Sequence, residues 1–575
     1  MSDASTHALS GAQACWEGMR DAGLAAVVVC PGARSGPLAV AAVASVGLPV
    51  FVHADERAAA FFALGASRAA GAPVALVTTS GSAVAHAMPA LVEADAQGVP
   101  LLLVSADRPE RLQGCGAPQT MRQQGIFSAF LRAEAHLSVG QVDAAASCYL
   151  RTRAAQVAHM ACAVPRRGPA HLNVSFDEPL LPPLVGSPPS APVTAPASAW
   201  QRVGASTALD PMGLAAWRTL TEASRRPLVV LGPLPLQPEE RAFAEAALDA
   251  GLAVLTDPAS ELRGHPEALT CGDHVAAASQ AWRRNAPDLV VRCGGTLTSK
   301  ALERAIGAAD CPVVALDPSQ RFTDPHRRPM TFFGAVPPPA ALVGWQVDEA
   351  YREGWRACDA LVRALIAAPP AQGLLPEEAA WTLAWLQAAC PQRIQVASSM
   401  PIRWLELLGL PQGGHVQVRS NRGLNGIDGT LASAAGWAWR DAKTTWVLLG
   451  DLAFLHDVGS LELGRRCGGR LRVFVLNNDG GGIFHHLPFH GSSATFEAVF
   501  GTPHGLQAGP IAQAFGWHAE TVTRREDMEA VCRRLEALPG PALIEVRVAR
   551  DPEPGATRAW RSVVSRALEQ WSTDG

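Results

Sequence analysis

Thr445–Gly482 reads TWVLLGDLAFLHDVGSLELGRRCGGRLRVFVLNNDGGG: one apolar run closed by Gly450-Asp451 and a second closed by Asn477-Asn478-Asp479-Gly480. Neither run alternates, and continuous runs of this kind suit strands buried on both faces of a parallel sheet. Parallel neighbours need a crossover connection, usually a helix, so both strands end on one edge of the sheet. Asp451 and Asn478, 478 − 451 = 27 positions apart, are thereby brought together. A carboxylate and a carboxamide oxygen can hold a hard cation, and magnesium prefers octahedral oxygen at about 2.0–2.1 Å, commonly shared with a phosphate. A diphosphate would complete such a shell. Gly-Asp and Asn-Asp-Gly are each ordinary turn chemistry when taken alone. The ordered pair at this spacing is the specific signal.

The same strand-turn-helix pattern extends outward in both directions. Strand candidates in the first block are Ala26–Cys30, Val74–Thr79 and Pro100–Ser105, and in the second Pro227–Gly232, Gly251–Asp257, Asp288–Gly294 and Pro312–Asp317. The third block adds Ile394–Ala397, His415–Arg419, Thr445–Leu449, Leu471–Asn477 and Ala542–Val548. Glu178–Trp200 is too rich in proline for a helix or a central strand, and Ala367–Pro376 loosens in the same way. We therefore expect an α/β protein of three doubly wound domains with mostly parallel sheets, spanning 1–183, 200–355 and 375–575. Ligands of such sheets bind beyond the carboxyl ends of the strands.

Composition narrows the function classes. Across 575 residues, Lys+Arg 48 against Asp+Glu 52 gives a net charge of −4, with 48% hydrophobic residues. That excludes a disordered tail protein and a basic nucleic-acid binder. Without a secretory leader or a membrane-length apolar run, the chain is expected in the cytoplasm. The twelve cysteines form no C-x-x-C pair, and Cys30, Cys115, Cys271 and Cys293 are expected to be buried as small hydrophobes. Only Lys300 and Lys443 are lysines, leaving 48 − 2 = 46 arginines, so Lys300 stands out. His485, His486 and His490 lack a recognised zinc frame. Gly232-Pro233 and Gly294-Gly295 lack the G-x-G-x-x-G of a dinucleotide turn, and no flavin is expected.

The Gly450-Asp451 to Asn477-Asn478 segment resembles the cofactor motif of thiamine diphosphate-dependent enzymes, with Leu452 where that family usually has glycine. The resemblance implies a Mg²⁺ or Mn²⁺ ion held by Asp451, Asn478 and the backbone carbonyl of Gly480, with Gly450 in the cofactor motif. It also makes the first domain pyrimidine-binding and the third diphosphate-binding. Glu56, in VHADERAAAFFALG, matches the glutamate that bonds N1′ of the aminopyrimidine and is catalytic in that family. Without the motif, an acidic residue beside Asp55 at a helix start would read as a dipole partner.

Longer segments are similar to the menaquinone-pathway family of 2-succinyl-5-enolpyruvyl-6-hydroxy-3-cyclohexene-1-carboxylate synthases. They include CPGARSGPLA, SADRPERLQGCGAPQT, GPAHLNVSFDEPL, SSMPIR, SNRGLNGIDG and NNDGGGIFHHLP, running in order through the first and third blocks. The resemblance implies decarboxylation of 2-oxoglutarate and addition of the succinyl carbanion to isochorismate. Both substrates carry two carboxylates, which calls for guanidinium groups. Ser399, Arg403 and Arg422 match the 2-oxoglutarate side, and Arg34, Arg108, Gln119 and Lys300 the isochorismate side. Ile427, Ile483 and Phe484 match apolar residues that shape the bound cofactor, and Leu487 one that lines the acceptor pocket. Ala33 replaces a family serine, removing a hydrogen bond worth about 0.5–1.5 kcal/mol. The superfamily further implies a homodimer or homotetramer whose sites are shared between chains. Another thiamine diphosphate-dependent carboligase or decarboxylase, or a catalytically silent regulatory paralogue, are the alternative readings.

Overall fold

The computed structural model describes residues 4–45, 47–182, 208–327, 330–371, 373–410, 416–439, 441–467, 470–489, 493–550 and 553–574. Most of the proline-rich 178–200 segment, His415 and His490 therefore lie outside the described residues. Among the described residues, three sheets account for the strands, and every pairing between strands is parallel.

The first sheet holds β1 (Ala26–Val29), β2 (Val50–Val52), β3 (Val74–Thr78), β4 (Leu101–Asp107), β5 (Glu134–Val139) and β6 (Ala170–Phe176), in the order β2-β1-β3-β4-β6-β5. The second holds β7 (Pro227–Leu231), β8 (Ala253–Thr256), β9 (Leu289–Cys293), β10 (Val313–Leu316) and β11 (Thr331–Phe333), in the order β11-β10-β9-β7-β8. The third holds β12 (Arg393–Val396), β13 (Gln417–Arg419), β14 (Thr445–Gly450), β15 (Leu471–Asn477), β16 (His518–Val522) and β17 (Ala542–Arg547), in the order β13-β12-β14-β15-β17-β16. The first and third sheets thus share one winding: each begins inside the sheet, reverses after its second strand to leave a switch point between its first and third strands, and ends with its sixth strand between its fourth and fifth. That crevice is where doubly wound sheets take their ligands.

Leucine, valine and isoleucine fill the central strands because helices cover both faces. The chain divides into two compact units, one of Met1–Ala205, Leu431–Asp441 and Gly459–Gly468, the other of Ser206–Thr430, Ala442–Val458 and Gly469–Gly575. In the first, the Glu56–Ala70 and Thr430–Ala438 helices approach at Gly65 and Gly436. A Cβ on Gly65 would strike the Ser433 carbonyl oxygen, and one on Gly436 that of Phe62. Only hydrogen fits at either point. In the second unit a single apolar core runs from the β7–β11 sheet to the β12–β17 sheet and includes the buried Trp355, Trp385, Trp404, Trp446 and Trp560.

Five strands escaped the sequence reading: β2, β5, β6, β11 and β16. Four of them are sheet edges, short or half exposed, so they lack a continuous apolar run. β6 is internal yet carries His171, Asn173 and Ser175, all buried and mutually satisfied across β4 and β5. Cys115 also departs from expectation: it is exposed in a turn, whereas Cys30, Cys271 and Cys293 are buried. Gly232 and Gly294-Gly295 serve packing, since a Cβ on Gly232 would strike the Gly295 carbonyl oxygen. Among the described residues, no helix is long and apolar enough to cross a membrane.

Candidate functional site

β14 and β15 pair in parallel up to Gly450 and Leu476, so the residues after them share one sheet edge. Asp451 is buried there, its Oδ2 accepting the Gly480 N–H at 2.8 Å and its Oδ1 the Leu452 N–H at 2.7 Å. His504 Nε2 lies 3.2 Å from the same Oδ2. Burial raises the Asp451 pKa above the ordinary carboxylate value, against the opposing hydrogen bonds from Gly480 and Leu452 and the His504 charge.

The two asparagines divide their work. Asn477 is consumed by the fold, donating to Glu545 Oε1 at 2.7 Å and to the Leu506 carbonyl while its own oxygen receives the Asp479 N–H. Asn478 donates to Glu378 Oε1 at 2.7 Å, and its buried Oδ1 has no hydrogen-bond partner. An orphaned buried acceptor costs roughly 1–3 kcal/mol unless something fills it. Asp479 and Gly480 then bend the chain through φ 60° and 135°. A Cβ on Gly480 would strike the Gly501 carbonyl oxygen, so glycine is required. The Gly480 carbonyl accepts only the Gly482 N–H, at 3.0 Å, keeping a lone pair. Carboxylate, orphaned amide oxygen and carbonyl form an all-oxygen set that fits Mg²⁺ or Mn²⁺.

A cavity of about 530 Å³ opens in the same unit, lined by Lys300, Ser399, Arg403, Arg422, Ile427, Ile483 and Phe484. Seven residues named from sequence thus line one cavity. Ser399 follows β12 and starts the Met400–Leu408 helix at φ 75°, a conformation costly for a residue with a Cβ and typical of functional sites. Arg403, one turn on, donates to the Ser399 carbonyl. Burial lowers the Arg403 pKa, and the Arg422 charge lowers it further. Two guanidinium groups held together in a partly dry cavity are poised for a carboxylate. Lys300 opens the Lys300–Gly307 helix behind its cap Ser299. Leu487 ends the Gly482–His486 turn and is not among the residues lining the cavity.

Glu56, Arg34, Arg108 and Gln119 belong to the other unit and stand at the carboxyl ends of its strands. Glu56 is the first residue of its helix, whose cap Asp55 accepts the Ala58 N–H at 3.1 Å. Burial pushes the nearby Cys30 thiol well above its ordinary pKa, and the Glu56 and Asp55 charges add to this. Arg34 is buried and donates to the Phe176 carbonyl and to Glu178. Arg108 donates to Gln119 Oε1 at 3.4 Å, and Gln119 in turn to the Ser80 carbonyl. Buried N–H groups on both arginines, Arg34 Nε and Arg108 Nη1, have no hydrogen-bond partner. Desolvation and then the Arg34 charge lower the Arg108 pKa.

Sequence reasoning missed Glu378, His504, Asn425 and Thr296, and within Leu297–Lys300, the stretch through which the middle block resembles the family, it gave a role to Lys300 alone. No spacing rule reaches Glu378, which meets Asn478 across 100 positions.

Family models match two stretches of the chain. Residues 9–126 match the thiamine pyrophosphate enzyme N-terminal TPP binding domain, and residues 404–546 the corresponding C-terminal domain. These matches and the three parallel sheets define a thiamine diphosphate-binding α/β protein. The chain is 36% identical over 561 residues to the 2-succinyl-5-enolpyruvyl-6-hydroxy-3-cyclohexene-1-carboxylate synthase of Halobacterium salinarum, covering 93% of this chain and 94% of that one. It is 37% identical to the protein of that name from Rubrobacter xylanophilus, covering 91% and 92%, and 36% identical to that from Myxococcus xanthus, covering 96% of each. The chain belongs to the 2-succinyl-5-enolpyruvyl-6-hydroxy-3-cyclohexene-1-carboxylate synthase family.

Proposed function

We propose that the chain decarboxylates 2-oxoglutarate and adds the succinyl carbanion to isochorismate, giving 2-succinyl-5-enolpyruvyl-6-hydroxy-3-cyclohexene-1-carboxylate and CO2 for menaquinone biosynthesis. The observation that carries this reading is the cavity lined both by Arg403, Arg422 and Lys300 and by Ile427, Ile483 and Phe484. It is cationic enough for dicarboxylates and apolar enough to favour loss of charge from a carboxylate.

Thiamine diphosphate, when bound, supplies a thiazolium electron sink for decarboxylation. Asp451, Asn478 and the Gly480 carbonyl would hold the divalent cation that neutralises its diphosphate. Ile427, Ile483 and Phe484 would pack against its rings. Glu56 would hold a proton opposite N1′ of the aminopyrimidine, a role whose removal costs about 10²–10⁴ in rate. Arg403 and Arg422 would grip the distal carboxylate of 2-oxoglutarate beside the Ser399 hydroxyl. Lys300, Arg34, Arg108 and Gln119 would take isochorismate, with Leu487 at the edge of the acceptor pocket. The working form we propose is a cytoplasmic homodimer or homotetramer in which Glu56 and Asp451 of different chains serve one cofactor.

The test is to mix protein, thiamine diphosphate, Mg²⁺, 2-oxoglutarate and isochorismate and follow product mass and isochorismate loss, with and without chelator. Chelator-sensitive formation of the 2-succinyl product is expected. CO2 release without consumption of isochorismate would instead favour a decarboxylase, and no turnover of any 2-oxoacid would favour a silent paralogue.

A further inference from the structure

We infer that Glu378 is a positioning residue that sets which end of the Asn478 amide faces the cation. Glu378 lies in the first turn of the Glu377–Ala389 helix, where unpaired N–H groups favour negative charge, and is 3% exposed. Its Oε2 accepts the Trp404 indole N–H at 2.5 Å and its Oε1 the Asn478 Nδ2–H at 2.7 Å. An indole nitrogen can only donate and a carboxylate can only accept. The Asn478 amide must therefore turn its NH2 toward Glu378, which leaves Oδ1 as the buried, partnerless oxygen on the other side of the amide. Gly482 closes the remaining space, since a Cβ there would strike Asn478 Nδ2. If the amide were reversed, two N–H donors would face the cation. Groups that orient metal ligands in this way are commonly worth 10- to 100-fold in metal affinity.

The inference rests on the proposed cation site and adds a residue to it. In Glu378→Gln, the new amide must offer its oxygen to Trp404 and its NH2 to Asn478. Asn478 then has to turn its own oxygen inward. Combining Glu378→Gln with Asn478→Asp reverses the polarity of the bond at constant charge: the introduced glutamine donates, one oxygen of the introduced aspartate accepts, and the other faces the cation.

Mn²⁺ binding is read from loss of the free-ion paramagnetic resonance signal, at saturating thiamine diphosphate, alongside the melting temperature of each protein without ligands. Glu378→Gln is expected to weaken Mn²⁺ binding 10- to 100-fold, and the double variant to return it to within about fivefold of the parent. Full-strength Mn²⁺ binding by Glu378→Gln overturns the proposal. So does a double variant as weak as the single one, which would mark Glu378 as merely structural. If Glu378→Gln does not fold, the double variant decides alone by the same limit. A parent protein that binds no Mn²⁺, or an Asp451→Asn variant that binds it normally, refutes the cation site itself, and the role of Glu378 falls with it.

Discussion

Arg403 and Glu406 lie three residues apart on one short helix, and their surroundings give them opposite uses. Arg403 faces the cavity near Arg422, where the distal carboxylate of 2-oxoglutarate would receive charge-assisted hydrogen bonds worth about 1.5–3 kcal/mol. Arg403→Ala should raise the KM for 2-oxoglutarate by about 10- to 100-fold. Pyruvate lacks that carboxylate and should be affected little. Steady-state kinetics with both donors check this, and equal losses would count against the assignment. Glu406 is buried, its Oε2 has no hydrogen-bond partner, and burial raises its pKa to about 8 despite Arg263 at 3.9 Å. A folded pKa above the unfolded value means the native state binds the extra proton. That contribution is complete below the unfolded value of about 4.3 and is lost as pH rises toward 8. Glu406→Gln should therefore gain stability relative to the parent between pH 5 and 8, as urea unfolding at several pH values would reveal. Asp451, Asn478 and the cavity arginines were legible in sequence because they close strands or occupy short motifs. Glu378 was not, because its meaning arises only when a helix 100 positions upstream is packed against the loop.

At the scale of elements, burial decided what could be read. Both-faces-buried strands such as β14 and β15 announce themselves as apolar runs, and Leu471–Asn477 has the bounds its sequence implied. Edge strands carry exposed polar residues, and β6 hides three polar side chains within a network that only tertiary pairing satisfies. In that network Ser105, His171 and Glu134 line up like a nucleophile, base and carboxylate, at 2.7 and 3.0 Å. Ser105 is wholly buried and donates to Asn173, so the arrangement is a structural bridge. One of the closest helix contacts carries its own prediction. Gly436→Val would force side-chain atoms into the Phe62 carbonyl and should destabilise by about 1–3 kcal/mol. Denaturant midpoints measure this, and an unchanged midpoint would mean that the two helices separate readily.

For the whole molecule, the prediction concerns the proposed sharing of sites between chains. Glu56 belongs to one compact unit and Asp451 to the other. Under the proposed shared-site assembly, Glu56→Gln and Asp451→Asn should each be inactive, yet a mixed dimer would hold one doubly damaged site and one intact site. Random exchange makes about half the dimers mixed, so roughly a quarter of parental activity should return. Differently tagged chains, refolded together and checked for exchange, permit the assay. Verified mixed dimers without activity would mean that both groups act within one chain or that one assignment is wrong.

The first unit is built from Met1–Ala205 together with Leu431–Asp441 and Gly459–Gly468. During synthesis its last pieces emerge 468 − 205 = 263 residues after the first stretch ends. At about 5–20 residues per second, that is a wait of roughly 13–53 s. For the first 433 − 205 = 228 residues of it, roughly 11–46 s, the Gly65 notch has no Ser433 backbone against it, and until Trp439 follows shortly after, the Phe51–Phe62 stack has no Trp439 edge to meet. A nascent chain is thus obliged to keep an unfinished apolar face on the ribosome for tens of seconds, a ready substrate for cellular chaperones.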